Sequence, residues 1–486
     1  MHHLLLSALD HSPGAPSRQR QLLDRLRQAI LDARLTPGSR LPSSRSLCEE
    51  LQVSRNTVLA VYEQLIAEGY AQADRQGTRV AQLGTAPVRS TVPPSHATTL
   101  KASRRVATMT PARDAGDRSL PLTPGMPALA RFPVNAWLRS QERALRAASP
   151  LVLGYGDPLG EPALREAIAH YLAVARGVRC DASRIIVTEG AQGALSLCVR
   201  LFANAGDLAW MEDPGYGGAR AAFLAGDLKV VGMPVDAEGI AIPTRAWRGR
   251  APRLIHVTPS HQYPCGAVLS LARRLELIAQ ARDKGSWIIE DDYDSDFRHR
   301  GHPVAAMQGL VADAPVLYVG TFSKTMFPAL RIGFLVLPES AVGKAVAALG
   351  ELLRGGHRLE QLALAEFIAS GQFARHLGRM RRLYRERQLA LRAALANSFP
   401  VEHEVLGGDA GLHLTVRLPA GVDDLAISAA ARSKGMNVGA LSSFAAPSST
   451  SKANGLVLGY GNTSAEQFAP LMRRLALIVR ANELAN

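Results

Sequence analysis

IIEDDYDSDF at 288–297 and VGTFSKTMFPALRIG at 319–333 are the stretches on which the reading of this chain turns. Each opens as a short β-branched run and breaks into polar residues, so each is predicted to be a strand ending in a polar loop. Asp291 and Lys324 stand at those two ends, 33 residues apart. Both then project from one edge of a sheet, the edge at which open α/β domains bind ligands. Outward from this pair, RIIVTEG (184–190), LIHVTP (254–259), WIIEDD (287–292) and VLYVGT (316–321) alternate with helical stretches from Leu122 onward. That is the pattern of an α/β domain built on a largely parallel sheet. No internal repeat is visible.

The polar residues at these strand ends form a set that one cofactor requires. Pyridoxal chemistry needs a lysine to form an aldimine, a carboxylate to keep the pyridine nitrogen protonated, and cations or N–H groups to hold a phosphate. Lys324 is the candidate for the aldimine, Asp291 for the pyridinium, and Tyr293 for the ring hydroxyl. Arg331, Ser323 and Thr321 are candidates for the phosphate. A second phosphate element is TEGAQGAL at 188–195, where a strand end runs through Gly190, Ala191 and Gln192 into a helix whose free N–H groups attract an anion. Tyr216 in EDPGYGG (212–218) is placed to stack on the cofactor ring. Taken singly, a glycine-rich turn is a turn, a lysine is a surface residue and an acidic run is a solvated loop. The order of all three along the chain carries the reading.

The N-terminal part is different in kind. Leu22, Leu23, Leu26, Ile30 and Leu31 recur at helical spacing between Pro16 and Arg34, and TPGSRLP then breaks the pattern. A short helix is expected after Ser43 or Ser44, with Leu47 and Leu51 inward. Ser54 caps a third, whose apolar face is Val58, Val61, Tyr62 and Leu65 and which Gly69 ends. YAQADRQGTRVAQ reads as a hairpin turning at Gln76-Gly77. Three helices and a hairpin make a winged helix-turn-helix. Arg55, Asn56 and Thr57 then occupy the first turn of the recognition helix, where side chains reach base edges. Arg45 begins the preceding helix close by, and Gly77 with Thr78 lets the wing tip approach a phosphate backbone. Each is equally readable as an ordinary solvated position on a small helical subdomain.

At 486 residues the chain exceeds one ordinary core, so several domains are expected. The reading divides it into a DNA-binding domain at 14–82, a Thr-, Pro- and Ser-rich linker at 83–120, and a cofactor domain at 121–486. The net charge of +14 is spread, with 14 basic against 8 acidic residues (+6) in 1–110 and +8 in the remainder, so charge alone is weak support for DNA binding. Cys48, Cys180, Cys198 and Cys265 lie far apart without a CxxC pair, which argues against a zinc site or disulfide framework and fits a reducing, cytoplasmic location. His256, His261, His299 and His302 also lack metal-ligand spacing. No segment reads as a signal peptide or a membrane span.

The segment from Gly38 to Val80, with LPSSR, VSRNTV, EGY and QGT, resembles the GntR-type winged helix. Arg45, Arg55 and Gly77 fall on DNA-contacting positions of that family, whereas Leu59 stands where some members place another arginine. YGDPLGEPALREAIAHYL, TEGAQGAL, EDPGYGG, TPSHQYPCG, EDDYDSDF, GTFSK and LRIG resemble fold-type I aminotransferases and, in combination with that winged helix, the MocR branch of the GntR family. The resemblance covers nearly the whole chain apart from the linker. It implies pyridoxal 5'-phosphate as cofactor, double-stranded operator DNA as partner, and a homodimer, commonly head-to-tail, with the winged helix of one subunit near the large domain of the other.

Two departures bear on chemistry. Tyr263-Pro264-Cys265-Gly266 replaces the Asn-Pro-x-Gly of the aminotransferases, whose Asn touches the ring hydroxyl. The arginine that clamps a substrate carboxylate in those enzymes is expected beside GLVLGYG (455–461), yet no Lys or Arg lies between Lys452 and Arg473. Without a bidentate partner a carboxylate is held weakly and positioned poorly. Arg417 or His413 could substitute, but an ordinary structural role is the better reading of each. The leading expectation is therefore a transcription regulator that senses pyridoxal phosphate or a small amine or amino acid, tilted towards the cofactor itself. The alternatives are a working aminotransferase with a DNA-binding appendage and a cofactor-free remnant.

Overall fold

A computed structural model describes residues 9–10, 12, 14–82, 103, 105, 117–301, 304–353, 355–446, 449 and 453–483. Most of the expected linker and His302 lie outside the described residues. The chain forms two compact units, Met1–Lys101 and Ala102–Asn486.

In the first unit, α1 (Arg18–Leu31), α2 (Ser44–Leu51) and α3 (Arg55–Ala67) precede an antiparallel hairpin of β1 (Ala71–Asp74) and β2 (Gly77–Val80). Ser43 caps α2 through the Ser46 amide (3.1 Å), and Ser54 caps α3 through that of Thr57 (3.1 Å). Leu22, Leu26, Leu47, Val58, Val61 and Leu65 are fully buried and close the three-helix core. The hairpin turns one residue earlier than the sequence suggests. Gly77 pairs with Asp74, and Arg75-Gln76 form the loop because the Asp74 carboxylate accepts the Gln76 amide (2.6 Å).

The second unit holds an eight-stranded sheet in the order β3-β10-β9-β8-β7-β4-β5-β6. Its strands are β3 (Ile185–Thr188), β4 (Leu208–Asp213), β5 (Lys229–Asp236), β6 (Gly239–Ile240), β7 (Leu254–Val257), β8 (Trp287–Asp292), β9 (Val316–Thr321) and β10 (Gly333–Val336). The contiguous strands β5, β4, β7, β8 and β9 pair in parallel, while β10 runs antiparallel between β9 and β3. A four-stranded antiparallel sheet follows, in which β12 (His413–Arg417) pairs with β11 (Glu404–Leu406) and β14 (Gly455–Gly459), and β14 also pairs with β13 (Gly439–Ala440). Among the described residues, no helix is long and apolar enough to cross a membrane.

Candidate functional site

Strand register brings the distant sequence candidates of the second unit together. Asp291 stands opposite Val319 and Asp292 opposite Gly320, so the polar end of β8 lies beside the loop that carries Lys324. Gly333 pairs with both Thr188 and Thr321, which sets Arg331, two residues before β10, between the Glu189-Gly190 turn and the Thr321–Ser323 loop. All of this lies at the C-terminal edge of the parallel strands.

Asp291 is buried (3% exposed), and one of its oxygens lies 3.2 Å from Nε2 of His256. Its other oxygen, Oδ1, is buried with no hydrogen-bond partner. A buried carboxylate oxygen left unpaired is costly, and it marks a place for a proton donor. Nζ of Lys324 donates to the Gly125 carbonyl (2.7 Å). Burial pushes its ammonium below the ordinary lysine range, opposed by Asp294, reinforced by Arg118 and opposed by Asp291. A lysine that gives up its proton more readily is a better nucleophile.

The other end of the site suits an anion. The Gly190–Phe202 helix begins without a side-chain cap, leaving its first N–H groups, those of Gly190, Ala191 and Gln192, free to bind one. Gly190 has φ +69°, and a Cβ there would stand 3.3 Å from the Arg331 guanidinium, so only glycine leaves this cradle open. Arg331 itself donates to the Glu189 carbonyl (2.9 Å). The Ser323 amide donates to Thr321 Oγ1 (3.1 Å), and the two hydroxyls are 3.1 Å apart. The side chain of Gln192 is tied to the Gly218 carbonyl (3.0 Å). The Tyr216 ring lies 6.5 Å from His256, tilted by 31°, and burial raises its hydroxyl to about 12.

These residues fit pyridoxal phosphate: an unpaired buried carboxylate oxygen, a deprotonation-prone lysine and a glycine-lined anion cradle beside an arginine. When bound, that group supplies a carbonyl that bonds amines reversibly and a ring that withdraws electrons. Asp291 would face the ring nitrogen, Lys324 the carbonyl carbon, and the cradle the phosphate. Tyr293 is already engaged, since its hydroxyl donates to the His261 carbonyl (2.9 Å) and lies 3.1 Å from His261 Nδ1.

Sequence reasoning read His256 and His261 as ordinary polar histidines without metal spacing and weighed His413 only as a substitute clamp. His256 is the partner of Asp291, and its signal was a polar residue in the otherwise apolar run of β7. His261, Asp294 and His413 converge, with one potential ligand atom of each within 4.8 Å of the others, although they are spread over 153 residues. His261 Nδ1 lies 3.1 Å from Asp294, and His413 Nε2 is 2.9 Å from the Pro264 carbonyl. Burial holds His413 well below its ordinary range, which favours its neutral form. Arg417, weighed as a carboxylate clamp, is exposed and ion-paired to Glu404 across the strands (2.6 Å). β14 is buried throughout, and Val457 packs with Leu441, Phe444, Tyr263 and Cys265, which makes that wall apolar.

In the first unit Arg45, Arg55 and Asn56 are exposed, and Arg55 Nε reaches Ser44 Oγ (3.4 Å), linking α3 to α2. Thr57 is drawn into the cap, its hydroxyl 2.8 Å from that of Ser54. Gly77 is exposed and Thr78 partly so. A Cβ at Gly77 would meet the Arg40 guanidinium at 3.1 Å, so glycine there admits Arg40 to the wing, a cation the sequence reading did not single out. Leu59, 39% exposed, lies on the same helix.

Residues 18–80 match the gntR family of bacterial regulatory proteins, and residues 121–452 match the aminotransferase class I and II family. The probable rhizopine catabolism regulatory protein MocR of Rhizobium meliloti is 39% identical, over 93% of this chain and 91% of that protein. The pyridoxine biosynthesis transcriptional regulator PdxR of Corynebacterium glutamicum is 34% identical over 91% of each chain. Among solved structures, the α-aminoadipate aminotransferase LysN of Thermus thermophilus, complexed with N-(5'-phosphopyridoxyl)-L-leucine, superposes with a TM-score of 0.72 at 24% identity, covering 79% of this chain and 98% of that one. It shares the fold.

Proposed function

Because the chain belongs to the MocR-type branch of the GntR family of DNA-binding transcription regulators, we propose that pyridoxal phosphate held at Lys324, or a small amine or amino acid that reaches it there, sets its affinity for operator DNA. The observation that carries the cofactor reading is the buried, unpartnered Oδ1 of Asp291 on the same strand-end edge as Lys324. A pyridinium N–H satisfies it. The winged helix at 14–82 would read DNA through Arg45, Arg55, Asn56 and Thr57, with Gly77 and Thr78 at the backbone. The linker at 83–120 would join it to the sensing domain at 121–486.

Such a signal works by linkage: a ligand moves DNA affinity only if it binds the DNA-competent and DNA-incompetent states unequally. The names of the two regulators above point to the two kinds of signal, one to pyridoxine biosynthesis and one to a catabolised small molecule. A cytoplasmic homodimer is part of the proposal. Leu151, Leu153 and Tyr155, 81%, 77% and 92% exposed, form an apolar run that a second copy would cover. Turnover as an aminotransferase is disfavoured because the wall around Val457 is apolar where those enzymes are expected to place the arginine that clamps a substrate carboxylate.

The test is DNA binding on the region upstream of the chain's own gene, at fixed salt, with cofactor-free and cofactor-loaded protein. A shift in affinity or footprint on loading makes pyridoxal phosphate the signal. Identical binding moves the search to amines and amino acids added to the loaded form. Steady production of keto acid from an amino acid would replace regulation by catalysis as the role of the large domain.

A further inference from the structure

Behind Tyr293 stands a buried pair to which the cofactor reading gives no role. The Tyr293 hydroxyl oxygen lies 3.1 Å from Nδ1 of His261, and the same Nδ1 lies 3.1 Å from both carboxylate oxygens of Asp294. His261 and Asp294 are each 2% exposed. The other ring nitrogen of His261, Nε2, is buried without a hydrogen-bond partner. A proton there would be a buried N–H with nothing to accept it, so the proton of the neutral ring belongs on Nδ1, where Asp294 and the Tyr293 oxygen can both accept it. The neighbouring backbone leaves room for the pair, since a Cβ at Gly411 would collide with the His261 ring and with Asp294 Oδ2.

With His261 occupying a lone pair of its oxygen, the Tyr293 hydroxyl still has its proton to give. Burial and the charge of Asp294 raise that hydroxyl well above the ordinary tyrosine range, so it acts as a donor. It now donates to the His261 carbonyl (2.9 Å), and a hydroxyl proton turns freely about its C–O bond towards a better acceptor. Ring contacts place Tyr293 within the site from two sides. Its ring meets that of Tyr263 (5.7 Å), which meets that of Tyr216 (6.0 Å), which in turn meets His256, the partner of Asp291 (6.5 Å). Tyr263 also meets Phe444 (5.2 Å), and a Cβ at Gly439 would lie 3.5 Å from both Phe444 and Pro124, the residue before the Gly125 carbonyl that holds Lys324. Tyr263 itself stands where the aminotransferases have the Asn that touches the ring hydroxyl, which leaves that contact to Tyr293.

We propose that His261, its proton fixed on Nδ1 by Asp294, is a positioning residue that holds the Tyr293 oxygen so that the hydroxyl donates to the ring oxygen of the cofactor, and that it thereby sets the pH at which the cofactor on Lys324 changes its protonation. The protonated form is the better electrophile, so this pH governs how readily an incoming amine displaces Lys324. The inference rests on the cofactor reading above and on the place of Tyr293 in it.

The test is a pH titration of the visible band of the cofactor-loaded full chain. When the nitrogen contributed by Lys324 loses its proton, negative charge rests on the ring oxygen, and a donated O–H favours that form and keeps the midpoint low. His261→Leu is therefore expected to raise the midpoint by about one pH unit, the worth of a hydrogen bond to a charged group. His261→Asn, whose amide nitrogen falls near the place of Nδ1, should restore most of the shift. In a Tyr293→Phe background, His261→Leu should move the midpoint no further, because His261 acts through the tyrosine. His261→Gln, with its amide at the Nε2 end, takes the place of the leucine variant if that one does not fold. An unchanged midpoint overturns the inference, as does an equal rise with and without the Tyr293 hydroxyl. A wild type that forms no visible band with pyridoxal phosphate overturns the cofactor reading first, and this inference with it.

Discussion

In the winged helix, Arg45, Arg55 and Asn56 stand in solvent on helices whose starts are fixed by Ser43 and Ser54. In the large unit, Asp291, Asp294 and His256 are buried and Lys324 is half-buried, and they are brought together only because strands distant in sequence lie side by side. The contrast separates two ways of building a site. Exposed side chains on a capped helix contribute nearly independently and leave stability untouched. Buried polar groups share partners, so each sets the protonation and placement of the next.

The strongest way to sharpen that contrast is Lys324→Ala. The visible band of bound pyridoxal phosphate should vanish entirely, while cofactor-free protein should still bind DNA. A band that survives would move the covalent site to another lysine.

Next in size is the pH dependence that burial builds into the large unit. His299 lies 3.2 Å from the Gly411 carbonyl and 2.9 Å from the Tyr460 hydroxyl, and burial pushes it down to about 4. Its folded value lies below its unfolded one, so its stabilisation is complete above about 6.5 and is lost as pH falls towards 4. Wild type should therefore lose about 1.4 kcal/mol per pH unit across that window relative to His299→Gln, measured by urea unfolding. Comparing the two proteins isolates His299 from Glu290, whose carboxyl burial raises to about 7 and whose contribution runs in the opposite direction. Parallel curves for the two proteins would show that His299 takes up protons alike in the folded and unfolded states.

The winged helix should behave otherwise. Arg55→Ala is expected to weaken specific DNA binding by roughly 1–3 kcal/mol with no change in melting, and a loss equal on all sequences would make it a phosphate contact. The smallest effect is expected for Ser54→Ala, about 1 kcal/mol of stability of that unit from the lost cap. If Arg55→Ala also lowers the melting temperature, its bond to Ser44 is structural and the contrast between the two regions narrows.

Legibility followed the same division. The three helices and the caps of the second and third came from local spacing, because a cap involves residues three apart and an apolar face repeats within a turn. The hairpin was misplaced by one residue, since whether Asp74 or the backbone closes the turn depends on a single side-chain bond. In the large unit, Asp291, Lys324, Gly190 and Arg331 were legible because each stands at the end of a strand-like run. The placing of His256, His261 and the Gly125 carbonyl was not, because nothing in their own neighbourhoods indicates which strand end they will face.

By itself, then, the sequence determined the two-part architecture and the family, and it singled out the lysine, the aspartate and the glycine turn as candidates, since these readings depend on periodicity and on residue chemistry at strand ends. Only the tertiary structure decided that Asp291 keeps one oxygen unpaired and that Arg417 is spent on Glu404. Those outcomes depend on register and on which groups lose contact with water, and both are set by the packing of segments far apart along the chain.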